Sequence, residues 1–125
     1  MPDSLIEFKK VVEMFDITPR TLRYYEYLEL LSPEREGRKR FYGKRDLARL
    51  KLILRGRRFG LKLEEIRQML EMYDPQSGNI AQTKSWITAA DKQIAELTGR
   101  RDEISESITE IERLKKLAED HLKTL

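Results

Sequence analysis

The sequence holds no cysteine, one histidine, one tryptophan and four prolines in 125 residues. Without cysteine there is no disulfide framework, no thiolate zinc site and no redox pair. The lone histidine, His121, sits near the C-terminus, and no carboxylate cluster marks a pocket. With no thiol nucleophile either, the chain is not expected to be an enzyme, and no cofactor or metal is implied. No apolar run approaches the roughly 18–20 residues that span a bilayer. Lys9 and Lys10 arrive too early for the apolar core of a signal peptide. Leu, Ile and Val are plentiful and net charge is low, which argues against disorder. A cytoplasmic chain with no membrane partner is the expectation.

Charge is abundant but unevenly spread. The total is 25 Lys and Arg against 22 Asp and Glu, a net of +3. Residues 1–73 carry 17 basic and 12 acidic side chains, whereas residues 74–125 carry 8 and 10. Ser32–Arg58 is sharper still, with 11 basic residues against Glu34, Glu36 and Asp46. Such a local field attracts polyanions whatever the total charge. The alternative is a solvated basic face without a partner.

Residues 5–15 read as a short amphipathic helix, with Ile6, Val11, Val12 and Phe15 on one face. Asp16 can adopt the left-handed backbone that a tight turn needs. Thr18 is a good N-cap, and Pro19 suits the first position of a second helix running to about Leu28. Two short helices joined by a tight turn make a helix-turn-helix candidate. Residues 32–43 then predict a small hairpin, or wing, around Gly37. Asp46 caps or opens a third helix with Leu47, Leu50, Ile53 and Leu54 on its apolar face and Gly60 at its end. A fourth helix follows from about Leu63, with Ile66, Met69, Leu70 and Tyr73 closing the core.

The last segment differs in kind. Placing Ile80, Ile87, Ile94, Arg101, Ile108, Lys115 and Leu122 at heptad position a puts Thr83, Ala90, Leu97, Ile104, Ile111, Ala118 and Leu125 at d, and 11 of these 14 positions are apolar. This pattern argues for one long helix that pairs with another. About 46 residues would span roughly 69 Å, too long to bury its stripe on a small head. A second copy of the chain is the natural partner, with Ile87, Ile94, Leu97, Ile104, Ile108, Ile111 and Leu122 as dimerisation residues. An intrachain hairpin breaking near Thr98-Gly99 is the competing arrangement. The expected domains are a winged helix-turn-helix head over 1–75 and a dimerisation helix over 76–125.

The stretch with most chemistry is TPRTLRYYE, Thr18–Glu26. Arginines in the N-terminal half of such a helix can make bidentate contacts to guanine edges in a major groove. Thr21 and tyrosine hydroxyls can hold phosphates and set register. Tyr24 and Tyr25 cannot both point away from a core, and Leu22 is a core residue. The ITPRTLRYYE helix, the ELLSP step, RFY, the D-x-x-R-L of Asp46, Arg49 and Leu50, and Arg58, Gly60, Glu65 and Ile66 together resemble the MerR family of bacterial transcription regulators. The stretch RLKLILRGRRFG is also similar to a subgroup controlling branched-chain amino-acid or fatty-acid breakdown. Departures are Glu29 where the family has glycine, Lys39-Arg40-Phe41-Tyr42 for Gly-Tyr-Arg-type wings, and Gly60-Leu61-Lys62 for Gly-Phe-Ser.

The resemblance implies a mostly helical fold: a winged helix-turn-helix head followed by a long helix forming an antiparallel coiled coil in a homodimer. It implies double-stranded promoter DNA as partner, with RNA polymerase at the promoter. Family members bend and untwist an overlong spacer, so that deformation is offset by backbone contacts. Carried over residue by residue, Thr18, Arg20, Thr21, Arg23 and Tyr24 belong to the recognition helix, and Tyr25 to a phosphate contact. Arg40 and Tyr42 match wing phosphate contacts, with Arg38 and Lys39 beside them. Arg57 and Arg58 are backbone contacts, or Arg58 forms an ion pair inside the head. Cysteine-based metal or oxidant sensing is excluded by composition, and a large C-terminal drug-binding domain is not expected. A small-molecule effector remains unknown: Trp86, Tyr73 and Met72 could line a pocket or simply pack. The rival function is a MerR-like adaptor acting through protein contacts.

Overall fold

A computed structural model describes residues 5–125, so the first four residues of the expected 1–75 head lie outside the described residues. The order is β1 (Ile6–Glu7), α1 (Phe8–Phe15), α2 (Pro19–Tyr27), β2 (Glu34–Glu36), β3 (Lys39–Tyr42), α3 (Lys44–Arg58), α4 (Leu63–Glu71), a 3₁₀ turn (Pro75–Ser77) and α5 (Ile80–Lys123). Two compact units divide between Thr83 and Lys84.

The head is built around α2. Asp16 takes the left-handed conformation at φ 52° and closes α1. Thr18 then caps α2 by accepting the Thr21 N–H at 3.1 Å, with Pro19 at the first helical position. Leu22 and Tyr25 of α2 pack inward with Val11, Leu30, Leu31, Leu50, Ile53, Leu61, Ile66, Met69 and Leu70. The α3 and α4 helices approach closely at Gly56, where an added Cβ would stand 2.8 Å from Ile66 Cδ1. Leu47 and Leu54 are half-buried, so the apolar face expected of α3 is the one the fold uses.

Two local readings of the sequence need correction. The first helix starts at Phe8 rather than residue 5, because Ile6 and Glu7 pair antiparallel with Tyr42 and Phe41. That pairing makes the wing a three-stranded sheet in the order β1-β3-β2. Tyr73 follows the end of α4 and is exposed, so it does not close the core. Asp46 lies in the first turn of α3 but is buried, and its carboxylate accepts the Ser32 N–H at 3.0 Å. It opens the helix, one of the two roles expected of it, and also ties the approach to the wing to α3.

The second unit is helical throughout. The α5 helix is one uninterrupted run of 44 residues that passes through Gly99 without a break. The hairpin near Thr98-Gly99 is therefore not formed. The apolar seam residues Ile87, Ile94, Leu97, Ile104, Ile108, Ile111 and Leu122 are all exposed in the single chain. Ahead of α5, Asp74 and Asn79 close a tight loop: the Asp74 N–H donates to Asn79 Oδ1 at 2.6 Å, and the Asn79 N–H to Asp74 O at 2.9 Å. Among the described residues, no helix is long and apolar enough to cross a membrane.

Candidate nucleic-acid interface

The helical period sorts the α2 side chains into two faces. Leu22 and Tyr25 point into the head, with Thr21 and Glu26 half-buried beside them. Arg20, Arg23, Tyr24 and Tyr27 lie on the opposite, exposed face. The adjacent tyrosines divide as packing requires: Tyr25 is buried and Tyr24 is 49% exposed, their ring centroids 6.2 Å apart. Burial raises the Tyr25 phenol above its ordinary value, so its hydroxyl is neutral at physiological pH. Tyr25 supports the reading face from beneath instead of standing on it.

Both ends of α2 are held. Thr18 and Thr21 share a short hydroxyl contact of 2.9 Å at the N-terminus, so Thr18 is occupied by capping. At the other end, Arg67 Nη2 donates to Leu28 O at 2.6 Å and Arg49 Nε donates to Leu30 O at 2.7 Å. Two guanidinium groups thus satisfy carbonyls just past the helix C-terminus, where positive charge is favoured by the helix dipole. Desolvation lowers the Arg49 pKa, and nearby Arg45 and Arg67 push the same way. Sequence reasoning noticed Arg49 only as part of a motif and missed its role; Arg67 carried no signal at all.

The wing is joined to α2 through Glu26. Its carboxylate accepts a short hydrogen bond from the Tyr42 hydroxyl and lies 3.3 Å from Arg40 Nε. The Arg40 guanidinium also sits over the Phe8 ring, 5.5 Å from its centroid, and Phe8 packs against Tyr42 at 6.4 Å. Tyr42 is fully buried, so the phosphate contact expected of it has no surface to work from. Burial first, then the bond to Glu26, pushes its phenol far above the ordinary value, which keeps the hydroxyl a donor. Arg40 is half-buried, with its side chain 27% exposed, and is committed to Glu26.

The outer wing is different. The hairpin pairs Glu36 with Lys39 and turns through Gly37 and Arg38, with Gly37 at φ 62°. A positive φ at the first of two loop positions is a conformation that glycine supplies without strain. Arg38 and Lys39 are exposed at this tip. Arg35 lies directly opposite Arg40, a like-charge pairing that costs stability in a hairpin. Arg57 and Arg58 end α3 as exposed side chains, and Arg57 Nη1 donates to Leu61 O at 3.0 Å across the turn into α4.

Comparison with known proteins agrees in order and extent with this arrangement. Residues 7–73 match the family described as MerR HTH family regulatory protein, and residues 47–119 match MerR, DNA binding. The HTH-type transcriptional regulator HmrR of Rhizobium leguminosarum bv. viciae is 38% identical over 96 residues, covering 71% of this chain and 73% of that protein. The regulator ZntR of Escherichia coli strain K12 is 32% identical over 108 residues, covering 84% and 74%. Among solved structures, HiNmlR, a MerR family regulator lacking the sensor domain and bound to promoter DNA, superposes with a TM-score of 0.55 at 25% identity over 78% of this chain and 79% of that one. A MerR family transcriptional regulator from Listeria monocytogenes gives a TM-score of 0.61 at 25% identity over 86% and 80%. With the capped helix, the wing and the long helix in this order, and family matches that run from residue 7 to residue 119, the chain belongs to the MerR family of helix-turn-helix DNA-binding transcription regulators.

Proposed function

We propose that the chain acts as a homodimer that grips promoter DNA with two heads and distorts the spacer between promoter elements. The observation that carries this reading is the exposed face of α2, where Arg20, Arg23 and Tyr24 stand together on a helix fixed at both ends. Arg20 and Arg23 read base edges in the major groove, and Tyr24 and Thr21 set register against the backbone. Arg38 and Lys39 at the wing tip and Arg57 and Arg58 at the end of α3 hold flanking phosphates. Arg40 acts one step back: paired with Glu26, it fixes the angle between wing and α2.

The head over 1–75 reads DNA, and 76–125 pairs with a second copy through Ile87, Ile94, Leu97, Ile104, Ile108, Ile111 and Leu122. RNA polymerase then engages the remodelled promoter in the cytoplasm, and DNA deformation is offset by the contacts that both wings add. The test is a mobility shift on the DNA upstream of the protein's own coding sequence, at two salt concentrations, against random DNA of equal length. Preferential binding that weakens steeply with salt is expected. Equal affinity for both DNAs would point instead to an adaptor working through protein contacts. On binding DNA, Arg23→Ala should lose affinity for the cognate site by about 1–3 kcal/mol and leave random DNA nearly unchanged.

A further inference from the structure

We infer that Tyr27, at the last position of α2, is a DNA-backbone contact that supplies affinity without charge. This rests on the DNA-binding reading above and names a residue that neither the sequence motif nor the wing accounts for. Tyr27 is 81% exposed, the most exposed aromatic side chain of the head among the described residues. Seven residues after Arg20, it returns to the same helix face as Arg20, Arg23 and Tyr24. Its ring therefore does nothing for the core, which Leu22 and Tyr25 serve from the opposite side.

Position along the axis decides what it touches. Seven residues at 1.5 Å each place Tyr27 about 10 Å beyond Arg20. The major groove is about 12 Å wide, so a helix with its N-terminal half on base edges brings its last turn to the groove wall. The wall is deoxyribose and phosphate. A phenol suits both: its ring covers the sugar and its hydroxyl donates to a phosphate oxygen. The site is rigid before DNA arrives, because Arg67 and Arg49 hold the carbonyls of Leu28 and Leu30 immediately after Tyr27. Little ordering is then needed on binding.

A neutral donor has a signature that a cation lacks. A lysine or arginine that neutralises a phosphate releases counterions and steepens the salt dependence, whereas a phenol hydroxyl releases none. The experiment measures affinity by fluorescence anisotropy for the protein's upstream DNA and for random DNA, across a salt series, for the parent chain, Tyr27→Phe, Tyr27→Lys and Arg20→Ala. Tyr27→Phe should weaken both DNAs by the same factor, about tenfold or more, the scale of a lost hydrogen bond to a charged acceptor. Its slope of log K against log salt should equal the parent's. Tyr27→Lys should recover affinity at low salt with a slope steeper by about 0.9 per head, whereas Arg20→Ala, which removes a base reader, should weaken the upstream DNA alone and leave the slope near the parent's. Circular dichroism should be unchanged for both Tyr27 variants, as their side chains lie outside the core.

The inference is overturned if Tyr27→Phe binds as tightly as the parent. It is equally overturned if the loss falls on the upstream DNA alone, which would make Tyr27 a base reader. A parent chain that shows no preference for the upstream DNA contradicts the function proposed above, and the Tyr27 contact falls with it.

Discussion

Glu29 holds a backbone conformation that glutamate rarely adopts, φ 61°, in the step between α2 and the wing. A left-handed residue with a Cβ costs roughly 1–2 kcal/mol, and glycine gives back about 0.5–1 kcal/mol of that through the freer unfolded chain. Glu29→Gly should therefore raise stability by roughly 0.5–1 kcal/mol in urea unfolding, a difference of those two terms; a lower midpoint would show that the Glu29 side chain is needed. Tyr42→Phe removes the donor to Glu26 and leaves a buried carboxylate with Arg40 alone. A loss of about 1–3 kcal/mol is expected, read by the same unfolding curve. Several residue roles were legible beforehand, because their signals are local: Thr18 as cap, Asp16 as left-handed turn, Leu22 as core. Tyr42 was not. In Lys39-Arg40-Phe41-Tyr42 each face of the strand carries one cation and one aromatic, so alternation cannot say which face is buried. The pairing with Ile6 and the partner Glu26 decide it, and both come from far along the chain.

At the scale of elements, close packing and continuity give opposite expectations for two helix glycines. Gly56 is buried where α3 meets α4, and a Cβ there would crowd Ile66 at 2.8 Å and 2.9 Å and Leu61 at 3.6 Å. Gly56→Leu should cost about 1–3 kcal/mol of stability by overpacking, measured as a fall in thermal midpoint. Gly99 sits mid-helix in α5 with nothing within 4 Å of an added Cβ. Two residues after Leu97 at d, it occupies position f, away from the seam. Gly99→Ala should thus raise helix stability by about 1 kcal/mol without changing what the seam pairs with; a drop would mean that Gly99 faces a partner. The wing hairpin, α3, α4 and α5 could all be read from periodicity and turn residues, since each repeats its signal over many positions. Strand β1 could not: two residues carry no period, and only the sheet edge offered by Phe41 and Tyr42 makes Ile6 and Glu7 extended. The α5 helix runs through Gly99 unbroken, as its heptads predict, because one glycine costs about 1 kcal/mol and cannot stop a helix of good formers.

At the scale of the whole molecule, charge and apolar surface divide the work. The first 73 residues hold the basic excess and a buried core, while α5 carries an apolar stripe that the single chain leaves in water. Exposed isoleucines at regular heptad spacing are stable in solution only when a second helix covers them. Dimerisation should therefore control DNA affinity more strongly than any single contact. Ile104→Asp with Ile108→Asp places charge on adjacent d and a positions near the middle of the stripe, where desolvating a carboxylate is costly. The variant should sediment as a monomer at concentrations where the parent is a dimer, and its head should keep its fold, since none of the core residues lies beyond Leu70. If each head neutralises the same number of phosphates, the slope of log affinity against log salt should fall to half the parent's. The decisive control is Arg38→Ala, which removes one cation from each wing tip without touching the stripe. It should lower the slope by about 0.9 per head, so about 1.8 in the dimer and half that in the monomeric variant. A monomer that kept the full slope would mean that one head makes all the contacts, and pairing through α5 would then have no part in gripping DNA.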